Sequence, residues 1–439
     1  MTKHKNKITL QALSFASQLF PAIVGVLSFM LLVRVTKPGV LGEYIIYLAA
    51  VVLFEMIKSG GLQSALVMRA SNRDKELQRR ITGSAYWLGG VVSISLSIVL
   101  ITLFFTGIFS KQPGIQVFCG WYACLGIITL PLHIAEASAV ARQDLKFLLY
   151  LRLAQSANAL IIAAYAWAFV GSLESLATVH LIFTALLMTV VLLTGKTNPL
   201  QVKFKTVQEI KTLVKLIKYT MATLATTNLL KTADTILIGS LMGPESVARY
   251  AIPLKLTELF EIPIRSLSTT AFPQLSEKHN HSDRSGFNKS LIQYLSWAYL
   301  LYIPALIGAF IFAPYIVLVF GGHQYADTAS IFRMLVLCGL FLPANRLSGI
   351  SLDSIQKPEL NFKKVLVMAL INIIGDVVAI NLSHDLNMVA FVSVLNACCG
   401  AMLGWWMLEH TGILSKGNVF NEVYTYSNSF IKQRLYRFK

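Results

Sequence analysis

Lys255, Glu258, Glu261 and Arg265 fall within one apolar stretch, residues 248–275, reading ARYAIPLKLTELFEIPIRSLSTTAFPQL. At about 100° per residue the four occupy an arc of about 120°, one face of a helix. Basic side chains on such a face can grip an anionic headgroup, above all a diphosphate, as point charges or bidentate forks. The acids beside them can balance that charge or carry a proton. Facing lipid, the four would cost on the order of 10 kcal/mol, at about 2.5–3.5 kcal/mol each. The face is therefore expected to look into a polar cavity, or its charges to pair with one another. Pro253, Pro263 and Pro273 free backbone carbonyls, so a broken helix lining a pathway is predicted.

The element that must carry this face is a membrane span. Of 439 residues, 55% are hydrophobic and only 13% charged, and mean hydropathy is +0.63, too apolar for a soluble protein. Twelve apolar windows of 18 or more residues follow: 8–33, 42–68, 81–109, 115–140, 148–170, 176–195, 218–242, 248–275, 290–320, 328–350, 364–383 and 388–409. The basic start MTKHKNK runs into an uncharged stretch too long for a signal peptide, read as the first span.

Loop charge tests this count. With the N-terminus inside, each even-numbered connection is basic: Arg69 to Arg80, Arg142 and Lys146, Lys196 to Lys218, Lys278 to Lys289, Lys357 to Lys364, and Lys416 to Lys439. The opposite face has little beyond Arg34, Lys37, Lys111 and Arg249. This alternation predicts both termini on the cytoplasmic side and accounts for the net charge of +17 without nucleic acid. The outward loops are too short to display a catalytic platform. No GxxxxGK[ST] or G-x-S-x-G pattern occurs, so no enzyme is expected.

The chain also looks duplicated. A shift of 206 lays Leu53-Phe54-Glu55 on Leu259-Phe260-Glu261, and a shift of 215 lays Arg142, Asp144, Leu145 and Phe147 on Lys357, Glu359, Leu360 and Phe362. The expected fold is all-α and integral to the membrane. Twelve helices form two six-helix bundles related by a parallel pseudo-two-fold axis, with a V-shaped cavity between them. The expected boundaries are 1–195 for the first bundle, 196–217 for a basic linker, 218–409 for the second bundle and 410–439 for a basic tail. The linker's KTVQEIKTLVKLIK is expected to lie on the inner leaflet as an amphipathic helix.

For Glu136, Arg152 and Arg346, near the cytoplasmic ends, snorkelling or a private ion pair accounts for the charge. Glu55/Lys58 and Lys231/Asp234 are i,i+3 pairs and Glu261/Arg265 an i,i+4 pair deep in their spans, and these are expected to line the cavity. The candidate substrate-binding cations are Lys58, Lys231, Lys255, Arg265 and Arg333. Glu55, Asp234, Glu258, Glu261 and Asp376 are the candidates for charge balance or proton coupling. His133 and Glu136 are i,i+3, but two ligands do not make a metal site; no metal or cofactor is expected.

Residues 231–256, KTADTILIGSLMGPESVARYAIPLKL, resemble the D-x-x-L-I-G…G-P-E…Y signature of bacterial polysaccharide-unit (O-antigen) flippases, the Wzx-type members of the MOP exporter superfamily. ARQDLKF (141–147) is similar to the R-x-L-x-F stretch after their fourth helix. The motif positions carried over are Asp234, Gly239, Tyr250, Arg142 and Phe147. The resemblance implies translocation of an undecaprenyl-diphosphate-linked oligosaccharide to the outer leaflet of the bacterial inner membrane by alternating access. It further implies a coupling ion (H+ or Na+), a functional monomer, and a polysaccharide polymerase and chain-length regulator as partners. Lipid II flippases of the superfamily usually have fourteen spans. Its multidrug exporters typically carry an acid in the first helix, and span one here has none. An ion-coupled exporter of small amphiphiles stands as the alternative, and a membrane-embedded glycosyltransferase or polymerase as the third reading.

Overall fold

The computed structural model describes residues 20–70, 74–142, 144–169, 171–414, 423, 425 and 426; within 219–231, side chains are described only at 221 and 228. The start of the first window, most of the basic tail and the Lys231 side chain lie outside the described residues.

The chain forms two compact units, Met1–Ala248 and Arg249–Lys439. Among the described residues, nine helices are long and apolar enough to cross a membrane. Unit 1 holds α1 (Phe20–Val35), α2 (Pro38–Glu55), α3 (Gly61–Ala70), α4 (Lys75–Thr106), α5 (Pro113–Ala141), α6 (Leu145–Ala168), α7 (Leu173–Leu193) and α8 (Val207–Leu241). A π-helical turn, Met56–Gly60, joins α2 to α3 as one rod. Caps set the helix starts: the carboxylates of Asp74 and Asp144 accept from the backbone of Leu77 and Phe147, and the Ser172 hydroxyl from that of Ser175. α5 is the hub, packed against α2, α3, α4, α6 and α7.

Sidedness in unit 1 runs opposite to that of a water-soluble bundle. On α4 the small residues Ala85, Gly89, Ser93 and Ser97 recur every fourth position and are buried. Val91, Ile94, Ile98, Ile101 and Phe105 form the exposed stripe. In hydrocarbon, large aliphatics outside are at home, and small residues inside let backbones approach. Ser97 Oγ accordingly reaches the Ala123 carbonyl of α5 at 2.7 Å.

Unit 2 is built from α9 (Pro244–Asn280), which begins in unit 1, with α10 (Arg284–Ile311), α11 (Ala313–Gly321), a 3-10 turn (His323–Thr328), α12 (Ala329–Ser354), α13 (Pro358–Ser383) and α14 (Leu386–His410). α12 lies against α10, α13 and α14. A core of Ala271, Leu275, Phe287, Leu291, Leu295, Leu347, Leu352, Trp405 and Leu408 joins α9, α10, α12 and α14.

Two expectations fail here. α9 is not broken: it runs through all three prolines as one helix. The Tyr302 hydroxyl of α10 donates to the Phe260 carbonyl and so ties α10 to α9 one residue past Leu259, whose carbonyl is the one Pro263 leaves without an intrahelical donor. The basic sequence 205–218 is not a separate interfacial helix either. From Val207 it is the first part of α8, and its apolar residue Leu213 is buried against α3 and α4 with Leu66, Ala70 and Ile81. Arg69 fixes it by a two-point grip on Glu209, at 3.0 and 2.9 Å.

Candidate functional site

α9 presents two faces. Ile252, Leu256, Ile264, Ala271 and Leu275 are buried, while Glu258, Arg265, Ser266, Thr269, Thr270 and Gln274 are exposed, with Lys255 and Glu261 beside them half-buried. Lys255 Nζ donates to Glu258 Oε2 at 2.7 Å, and Arg265 pairs with Glu261. Leu259 and Phe272 are exposed beside them, so the face is mixed polar and apolar, balanced in its four charges and uncovered. Exposed intrahelical pairs are worth about 0–1 kcal/mol, so either cation can leave its carboxylate for a more highly charged anion at little cost.

Unit 1 treats its charges differently. The π-turn carries Lys58 into the bundle, where its ammonium is wholly buried. It donates to Glu55 Oε1 at 2.8 Å, to the Gly126 carbonyl at 2.7 Å and to Thr129 Oγ1 at 2.6 Å. An ammonium has three protons, and all three are placed. Lys58, expected to meet substrate, is here a packed structural cation. On the other side of Glu55, His133 Nε2 lies 2.7 Å from Oε2. The Gln63 amide donates to His133 Nδ1 at 2.7 Å, which leaves Nε2–H to donate to Glu55. His133, set aside in the sequence, belongs to the network because α5 lies beside α2. Its former partner on paper, Glu136, pairs instead with Arg152 of α6 at 2.9 Å.

Unit 2 has buried polar groups of its own. Asp376 is fully buried in α13, its Oδ2 accepting from Asn372 Nδ2 at 2.9 Å, while Asn396 of α14 donates to Asn372 Oδ1 at 2.9 Å. Lys364, expected in a loop, is buried in α13 with its ammonium on both oxygens of Asn345 at 2.9 Å. Arg333 Nε donates to the Phe310 carbonyl at 3.3 Å and its guanidinium lies 5.8 Å from the Phe310 ring. Asp234 is buried on α8, and the Lys231 side chain lies outside the described residues. Among the described residues no cluster of His, Cys, Asp and Glu has the makings of a metal site.

The profile of a family described as polysaccharide biosynthesis protein matches residues 31–330. The chain belongs to that family. It is 22% identical over 149 residues to a protein described as probable low-salt glycan biosynthesis flippase Agl15, from Haloferax volcanii; the match covers 34% of this chain and 31% of that relative's length. Among solved structures, the inward-facing conformation of a multidrug resistance MATE family transporter of the MOP superfamily superposes with TM-score 0.72 at 12% identity, over 91% of this chain and 98% of the other. The lipid II flippase MurJ in its inward closed conformation superposes with TM-score 0.71 at 18% identity, over 97% and 99%. The fold is the one these two solved structures share, as the resemblance of residues 231–256 implies, and the protein is a multi-pass membrane protein.

Of the family-motif positions, Gly239, Tyr250 and Phe147 sit at packed contacts and Arg142 ends a helix. Gly239 lets α8 close on α2, since a Cβ there would come within 2.7 Å of Ile46 Cδ1. Tyr250 is buried, its hydroxyl 3.2 Å from Ser393 Oγ. Arg142 closes α5, donating its backbone N–H to Ser138. Phe147 packs against Leu132, Ala135, Leu151 and Val191, under Lys196, whose ammonium is 5.5 Å from the ring and 2.7 Å from Asp144 Oδ2. That ammonium holds the Asp144 carboxyl below the usual carboxylate range.

Proposed function

We propose that the protein is a flippase for undecaprenyl-diphosphate-linked oligosaccharide in the bacterial inner membrane. In this reading twelve helices, six in each of two repeats, cross with both termini inside, and alternating access is coupled to H+ or Na+. The observation that carries it is the uncovered, charge-bearing face of α9. A helix within a membrane protein keeps such a face only where water or a polar cargo meets it. Family membership and the MOP fold support the reading.

Lys255 and Arg265 lie ten residues apart, about 15 Å along the axis. One diphosphate does not span that distance, so the two act in succession on the headgroup, or one holds the diphosphate while the other meets an acidic sugar. Glu258 and Glu261 take each cation back when the cargo leaves, and Asp234 and Asp376 are the candidates for the coupling ion. Lys255→Gln and Arg265→Ala should each leave the protein in the membrane while surface polysaccharide is lost and lipid-linked repeat units accumulate inside. Normal polysaccharide from both variants would refute the assignment. Drug hypersensitivity of a deletion strain with normal polysaccharide would move the reading to an exporter.

A further inference from the structure

The segment between α7 and α8 is a strap seated on α4. Thr197 shares a hydrogen bond with the Tyr86 hydroxyl, and Thr206 N donates to Ser84 Oγ at 3.1 Å. The Gln201 carbonyl occupies the space a side chain at Gly83 would need. Lys205 Nζ sits 5.0 Å over the Trp87 ring. The strap therefore crosses α4 at residues 83–87.

That level is the membrane interface. Lys75, Glu76, Arg79 and Arg80 of α4 lie exposed on one side of it. The exposed aliphatic stripe begins at Val91 on the other, about 12 Å beyond Gly83. Tyr86 and Trp87 mark the level as interfacial aromatics do. There the strap and the start of α8 turn outward three apolar side chains, Leu200, Phe204 and Val207, which are 66%, 51% and 68% exposed. Lys203, Lys205 and Lys211 stand exposed among them. The neighbouring acids are already engaged: Asp144 by Lys196, Glu76 by Arg80 and Glu209 by Arg69.

We propose that this strap is a docking surface for anionic phospholipid of the leaflet on the basic-loop side. Leu200, Phe204 and Val207 enter the boundary between headgroups and acyl chains, and the lysines hold the headgroup phosphates. Apolar residues alone would accept any lipid; the surplus of lysines selects a negatively charged one. Because the strap runs directly into α8, its grip fixes the end of that helix at the interface. The inference rests on the membrane-spanning fold and not on the cargo.

The test uses the full chain. Purified protein is equilibrated with mixed phosphatidylcholine and phosphatidylglycerol vesicles, and the retained lipid is counted. Wild type should retain phosphatidylglycerol in excess, and Lys203→Gln/Lys211→Gln should lower that preference by up to about 25-fold at low salt, at about fivefold per lysine. Both side chains are exposed, so the double variant folds. A nitroxide at position 204, introduced as Phe204→Cys in a chain with its native cysteines replaced, should collide more often with oxygen than with a water-soluble nickel chelate. Equal retention of both lipids by wild type, an unchanged preference in the double variant, or free access of the chelate to position 204 would overturn the proposal. The last result would place the strap in water or under a protein partner. None of these outcomes bears on polysaccharide transport.

Discussion

Glu55–Lys58 in unit 1 and Lys255–Glu258 in unit 2 are the same object on paper. Each is an i,i+3 pair of carboxylate and ammonium, 2.8 Å apart in one case and 2.7 Å in the other. Their surroundings are opposite. Lys58 is sealed, with a carbonyl and a hydroxyl completing its shell, whereas both members of the α9 pair meet open space. At equal distance the attraction is stronger in the dry interior than at a watered surface, and the cost of separating the pair is larger there too. A buried charge that loses its partner has no water to turn to, whereas an exposed one has water at once. The first pair is built to stay together and the second to be exchanged.

The largest effect should come from breaking the sealed pair. Glu55→Ala or Lys58→Met alone leaves a buried charge unpaired and should cost about 3–5 kcal/mol, seen as loss of folded protein in a detergent thermal-unfolding assay. Glu55→Gln with Lys58→Met removes both charges and should recover most of that. If the double variant is no better than the singles, the pair is not the unit of stability. His133→Ala should cost less, about 1.5–3 kcal/mol for one hydrogen bond to a buried carboxylate, read in the same assay. On α9, Lys255→Gln and Arg265→Ala should move unfolding by less than about 1 kcal/mol while transport disappears. A large stability loss there would erase the contrast and make the α9 charges structural too.

Sequence arithmetic served α9 better than it served the sealed pair. A helix repeats every 3.6 residues regardless of its neighbours, so the common face of Lys255, Glu258, Glu261 and Arg265 was readable from spacing alone. Nothing in the spacing of Lys58 says that Gly126 and Thr129 lie within reach, because that depends on which face α5 turns toward α2. The available sign was a row of polar residues one turn apart in an apolar run, Thr129, His133 and Glu136, and of these Glu136 turned to α6. Arg333's contact with Phe310 was hidden for the same reason, because Phe310 sits on α10. The prolines of α9 misled in the other direction, since each removes one backbone donor and the helix runs on through all three. The amphipathic pattern at 205–218 was real. Its apolar side simply found α3 and α4 before it found lipid.

A third pair, Asp144–Lys196, sharpens the comparison from the small end. It lies at the surface, 2.7 Å between charges, and joins the turn before α6 to the residues after α7. Its carboxyl is held below its ordinary range by the Lys196 hydrogen bond first of all. A carboxylate whose folded pKa is depressed adds stability above its unfolded pKa of about 3.9, and that contribution is lost as pH falls through the folded value. Asp144→Asn keeps an oxygen to accept from the Phe147 backbone but removes the charge. It should therefore cost about 0.5 kcal/mol or less at neutral pH, with solvent screening most of the attraction. The difference from wild type should shrink as pH falls through the depressed folded value, below which the Asp144 carboxyl is as neutral as the asparagine. Unfolding curves of the two proteins from neutral pH into strong acid decide it. A gap that persists in acid would mean the asparagine disturbs the α6 cap, and a gap as large as that of Lys58→Met would mean that exposure does not rank these pairs.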